Sequence, residues 1–285
     1  MTKLTIPTSP ILRARILPNS VSQIGTITKY ELVNYFRSRR FFVLLIIGVI
    51  IGVLLTALVG YYRPALFLTS PLGFYSSWWA NSITFIIILS GIFYGGDAIS
   101  GEFQNKTGYF LVANPLRRSS IYIGKWLGAL IASMIMLAVF AAITVGNGIY
   151  YFGLNIPFQL WESLLFSILY LIAVLGFTFF FSSLFKTTSM SILVTAILFL
   201  FAFVLLQTLV EGLVKIEPWF IITYGAQIIN YVLMDPYPVT TTQGSGPNAF
   251  TSYSPTIPEG VAILLGYFVV TALLGLLLFE KKEFT

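Results

Sequence analysis

The sequence predicts an all-α polytopic membrane protein with six transmembrane helices and an N-terminal amphipathic interfacial helix. Three observations predict it. Only 9% of the 285 residues are charged, against about 25% in a soluble domain, too few to cover a water-facing surface. Uncharged apolar runs of about 20 residues, enough to cross a bilayer core, recur along the chain. Finally, the basic residues segregate between alternate connecting segments, as they do when one side of a membrane retains Lys and Arg.

Residues 1–40 form an N-terminal segment, and 41–285 form the transmembrane domain. Met1 to Tyr30 has scattered Pro and basic residues but no compact apolar region, so it is not read as a secretory signal. Within 25–40, Ile27, Tyr30, Leu32, Val33 and Phe36 favour one helical face, and Lys29, Glu31, Asn34 and Arg37 the other. That pattern suits a helix lying on the inner leaflet; the alternative is a plain extension of the first span.

The six spans are expected at Phe41–Gly60, Ser77–Gly95, Trp126–Ile149, Ser163–Phe185, Ser191–Val210 and Val261–Phe279. With this count, all but Arg63 and Lys215 of the 16 Lys and Arg fall on one side. That side, with both termini, is therefore cytoplasmic. The inner loop 96–125 holds nearly all mid-chain charge. The outer segment 211–260 is rich in Pro and aromatic residues, which suits short helices at the outer interface followed by an ordered loop; a plain flexible loop is the alternative.

Composition excludes much chemistry. The chain has no Cys and no His, which removes disulfides, thiolate or histidine metal sites and a Ser-His-Asp triad. Asp97 and Asp235 are expected on opposite sides, so no facing aspartyl pair forms. No phosphate-binding G-x-x-x-x-G-K-[ST] loop occurs. The net charge of +6 lies beside apolar runs, which points to topology and anionic membrane lipids, with no nucleic-acid partner. The spans lack central acids or bases, which lowers the expectation of a pump or ion-coupled carrier. Their neutral polar groups include two pairs spaced three apart, Asn81 with Thr84 and Thr144 with Asn147, each sharing a helix face. These are the candidates to line a translocation path; helix–helix hydrogen bonding is the commoner use of such residues.

The inner loop carries the most information. From Gly95 to Arg118 it reads GGDAISGEFQNKTGYFLVANPLRR, then SSIYIGK to Lys125. A short helix with Phe103, Tyr109, Phe110 and Leu111 on its apolar face fits. Pro115 would end it, and Ser119 or Ser120 could cap the next helix. A solvated positive-inside loop is the plainer reading.

The order Asp97, Ile99, Ser100, Glu102, Thr107, Leu111, Pro115, Arg118, Lys125 resembles the signature loop of type-2 ABC transporter permeases. Arg117-Arg118 stands where Ser-Arg is usual, and Thr107-Gly108 reverses the usual Gly-Thr. The resemblance extends to an inner amphipathic helix, six spans and a long outer segment before the sixth. It implies a plasma-membrane exporter subunit that dimerises with a second copy or a paralogue and docks on two separate ABC ATPase subunits. ATP and Mg would be bound by those partners, with no cofactor and no catalytic residue in this chain. The inner loop would hold the cytoplasmic coupling helix. Asp97, Glu102, Phe103, Thr107, Phe110, Leu111, Pro115, Arg118 and Lys125 would couple to the ATPase, with Glu102 and Arg118 as polar contacts and Phe103 and Phe110 as the apolar plug. The rival from another class is a structural or assembly subunit with no path. An intramembrane enzyme is disfavoured by the missing catalytic groups.

Overall fold

The computed structural model describes residues 19–106, 116–243 and 250–282. It is helical nearly throughout, and six helices are long and apolar enough to cross a membrane. The first is Arg39–Tyr62. The second runs through Asn81–Gly95, entered by a short helix Pro71–Tyr75 and a π turn Ser76–Ala80. The third is Arg118–Phe152 and the fourth Gln159–Leu184. The fifth is Thr188–Val214 and the sixth Ile257–Lys281.

Burial separates an inner layer from an outer one. Of the most apolar stretch of each span, 61%, 44% and 56% is buried in the second, third and fourth, against 22%, 17% and 17% in the first, fifth and sixth. The second span therefore sits at the centre, against the third and fourth, with the sixth laid along the fourth. The apolar outer faces have no core to join, which is what lipid permits and water does not.

The N-terminal helix Ser20–Arg37 is separate from the first span, because Ser38 is extended at φ −80°, ψ 133°. It packs along the start of the third span. Close approach there depends on small residues: a Cβ on Gly124 would lie 2.8 Å from Ile27, and one on Gly128 2.9 Å from Glu31. The helix turns Gln23, Thr28 and Tyr35 inward, while Tyr30, Val33 and Phe36 stay exposed. Its inward face is thus largely polar, and much of its apolar stripe points away from the protein.

Three expectations need correction. The third span begins at Arg118, so Lys125 lies inside a helix and not in a loop. No serine caps that helix; instead the side chain of Gln23 accepts the Arg117 N–H at 3.3 Å. The fifth span continues past Val210 in a π turn Val210–Val214, which brings Glu211 into its last turn, buried. The segment after it contains the short helices Ile222–Ala226 and Ile228–Tyr231, whose Ile222, Tyr224, Ile228 and Ile229 are buried. It also contains a small antiparallel hairpin, Thr241–Gln243 with Phe250–Ser252, that apolar periodicity did not suggest.

Candidate functional site

Several segments gather at one end of the bundle, held by ion pairs, caps and hydrogen bonds. Lys125 is the hub. Its side chain is 6% exposed, and its ammonium contacts Glu31 at 3.1 and 3.2 Å and Glu102 at 2.8 Å. Burying an ammonium is tolerable only when it is paired and hydrogen-bonded. These two carboxylates come from the N-terminal helix and from the short loop helix Ser100–Gln104. One cation therefore ties three elements together. Tyr35 adds a further tie from the N-terminal helix, donating its hydroxyl to the Tyr94 carbonyl at 3.0 Å.

The turn before the loop helix is fixed from the fourth span. Ser182 Oγ accepts the N–H groups of Ile99 and Ser100 at 3.0 and 2.9 Å. Free N–H groups at a helix start need such acceptors. Asp97, in that turn, pairs with Arg40 at the start of the first span. From the other end of the loop helix, Gln104 Oε1 accepts the Thr188 N–H at 2.8 Å and so caps the fifth span.

The end of the chain closes the same surface. Arg118 donates to the carbonyls of Glu280 and Lys282 at 2.6 and 3.1 Å. Lys282 donates to the carbonyls of Ser183 and Phe185 at 2.8 and 2.9 Å, at the C-terminus of the fourth span. A cation is favoured there by the aligned carbonyl dipoles. The Lys282 ammonium also stands 4.2 Å from the centre of the Phe103 ring. Burial, with Lys186 nearby, lowers the Lys282 pKa to about 8.

Of the residues singled out by sequence, Asp97, Glu102, Phe103, Arg118 and Lys125 come together at this end. Each engages another part of the same chain. Thr107, Phe110, Leu111 and Pro115 lie outside the described residues. Sequence reasoning missed Glu31, Arg40, Gln104, Ser182 and Lys282 as members. Glu31 carried a signal: an acid on an otherwise basic inner segment needs a partner.

The four path candidates scatter. Thr84 borders a polar cavity near the opposite end. Thr144 is buried and donates to the Phe140 carbonyl, four residues back. Asn147 donates to the Ile143 carbonyl in the same way. The side chain of Asn81 lies outside the described residues. Among the described residues, no group of three or more Asp or Glu is placed to hold a metal ion.

The charged end thus links the loop helix and the N-terminal helix to all six spans through short polar contacts. A force on the loop helix would reach the third span through Lys125, the fourth through Ser182 and the fifth through Gln104. A family model described as "ABC-2 family transporter protein" matches residues 25–284. No curated protein matches the chain.

Proposed function

Because the chain belongs to the ABC-2 family of transporter membrane proteins, we propose that it is the permease subunit of an ATP-driven exporter. Two copies, or this chain and a paralogue, form the path in the plasma membrane. Two separate ABC ATPase subunits bind and hydrolyse ATP with Mg beneath them, at the face holding both termini and residues 96–125. The basic residues concentrated at that face support this orientation.

The carrying observation is the Glu31–Lys125–Glu102 cluster. It makes the loop helix, the N-terminal helix and the third span one mechanical unit, adjacent to the caps on the fourth and fifth spans. A partner that seats on residues 107–115 and changes spacing on ATP binding would move these elements together. Glu102 then positions the loop helix from within. Phe103, held beneath Lys282, supports it from the chain's end. Thr107, Phe110, Leu111 and Pro115 remain the proposed contacts to the partner.

The test is reconstitution. The permease is co-expressed with its ATPase, purified as a complex and placed in vesicles. Retention of the ATPase and ATP hydrolysis that rises with cargo are expected. Retention without any cargo-stimulated hydrolysis would favour a structural subunit, and absence of ATPase binding would overturn the reading.

A further inference from the structure

Near the opposite end of the bundle lies a cavity of about 460 Å³, within the usual range for small-molecule sites. Its walls come from the second, fourth and fifth spans and from the two short helices after the fifth. Both π turns of the fifth span border it, through Phe199 and Glu211. Such widened turns are rare and cluster at functional sites.

The polar end of the cavity holds an acid and an unpartnered carbonyl. Glu211 is 8% exposed, and none of the ion pairs among the described residues involves it. Its hydrogen bond comes from Gln207 Nε2 at 2.9 Å. Thr223 donates to Gln207 Oε1 at 3.2 Å, which fixes the amide with its NH₂ toward Glu211. Gln227 Oε1 is buried and has no hydrogen-bond partner. A carboxylate hydrogen-bonded by Gln207 and an unpartnered carbonyl thus face one cavity. A buried acid without a cation is costly. Ile88, Tyr170, Phe199 and Val204 give the cavity an apolar stretch of wall, and Thr84, Asn230 and Tyr231 also line it. Val204 and Thr208 are exposed at its rim.

We propose that this cavity binds the alkylammonium head of an amphiphile, with Glu211 as counter-ion, Gln227 as second acceptor and the apolar wall against the first part of the chain. An ammonium supplies a counter-charge to Glu211 and a donor to the unpartnered Gln227 Oε1. A phosphate or carboxylate head would meet Glu211 with like charge. The inference rests on the transport reading where it names this amphiphile as cargo; the site itself does not.

The test uses the full chain alone in phosphatidylcholine nanodiscs with a diazirine-bearing dodecylamine. After photolysis, peptides covering Ala80–Ile88 and Val204–Glu211 should carry the label. Dodecylamine should compete and dodecanol should not. Glu211→Gln should weaken labelling about tenfold or more, as expected for loss of one charge-assisted contact. Thr208→Trp fills the cavity from its exposed rim and should abolish labelling, so a poorly folding Glu211→Gln leaves the test standing. Equal labelling by amine and alcohol probes, or labelling unchanged in the variants that fold, would overturn the proposal. Adding phosphatidylethanolamine to the discs separates sources. Displacement of the probe identifies a bilayer lipid as ligand, and displacement by free alkylamine alone identifies a soluble amphiphile; either result upholds the site. Binding needs no ATPase. A bound probe that never stimulates hydrolysis would therefore leave the site standing and sink only its assignment as cargo, whereas absence of ATPase binding would sink the transport reading alone.

Discussion

Replacing Lys125 by Met takes one ammonium away from two carboxylates at once. Glu31 and Glu102 have side chains only 14% and 18% exposed, so water cannot fully take over the missing contacts. Breaking a buried ion pair by removing one partner costs about 3–5 kcal/mol. Glu102→Gln should cost less, about 1.5–3 kcal/mol, because Lys125 keeps Glu31 at 3.1 Å. The cluster makes a sharper prediction for the pair of changes. With Lys125 already Met, Glu102 has lost that contact, and Glu102→Gln should then cost less than it does in the wild type. The coupling energy between the two positions should be about 0.5–3 kcal/mol. Equilibrium unfolding of the purified permease in mixed micelles, followed by tryptophan fluorescence, gives all four stabilities. Equal costs for Glu102→Gln in the wild-type and Lys125→Met backgrounds would refute the pairing.

Gly124→Ala places a methyl 2.8 Å from Ile27 and should push the N-terminal helix off the third span. Faster proteolysis within 20–37 would report it, whereas Gly146→Ala, with open space around it, should change nothing. Lys282, with its pKa lowered to about 8, holds its proton less tightly folded than unfolded. The unfolded chain therefore binds more protons between about pH 8 and the ordinary lysine value, and stability should rise with pH across that window; Lys282→Gln should flatten the slope, and an unaltered slope would count against it. For sidedness, cysteines at exposed Thr187 and Val239 in this cysteine-free chain should respectively resist and accept an impermeant thiol reagent added outside. Labelling in the reverse pattern would invert the topology.

The six spans were legible because each is an apolar run that needs no tertiary information, and the break at Ser38 was half legible from the charge around it. The charged end was not. Glu31 and Lys125 lie 94 residues apart, and a lysine beside an apolar run reads as a loop charge until a remote acid is known to meet it. The same local rule ended the fifth span at Val210, since an acid ordinarily stops a membrane helix. Glu211 continues it because Gln207, one turn earlier, donates to its carboxylate. Ser182 looked like one more neutral residue in an apolar helix, yet it caps a turn 82 residues away. What sequence hides here is polar pairing at a distance, and that pairing is what defines the charged end.

A buried lysine between two acids is a poor device for stability alone. Replacing such a cluster with apolar residues of similar volume is often neutral, or stabilising by about 1–4 kcal/mol. What apolar packing does not supply is register, because it tolerates sliding and a directed hydrogen bond does not. The cluster holds a short loop helix, Ser100–Gln104, that has little apolar surface of its own to fix its position. Its use is then to make that helix and two others move as one. The triple change Glu31→Leu, Glu102→Leu and Lys125→Met separates the two roles. It should fold at least as stably as wild type and still retain the ATPase, because the partner's proposed contacts lie beyond Gln104. Its ATP hydrolysis should nonetheless lose stimulation by cargo, and transport should fall by tenfold or more if registry contributes as much as one charged contact. Full transport by the triple variant would show that the charges are only filling space.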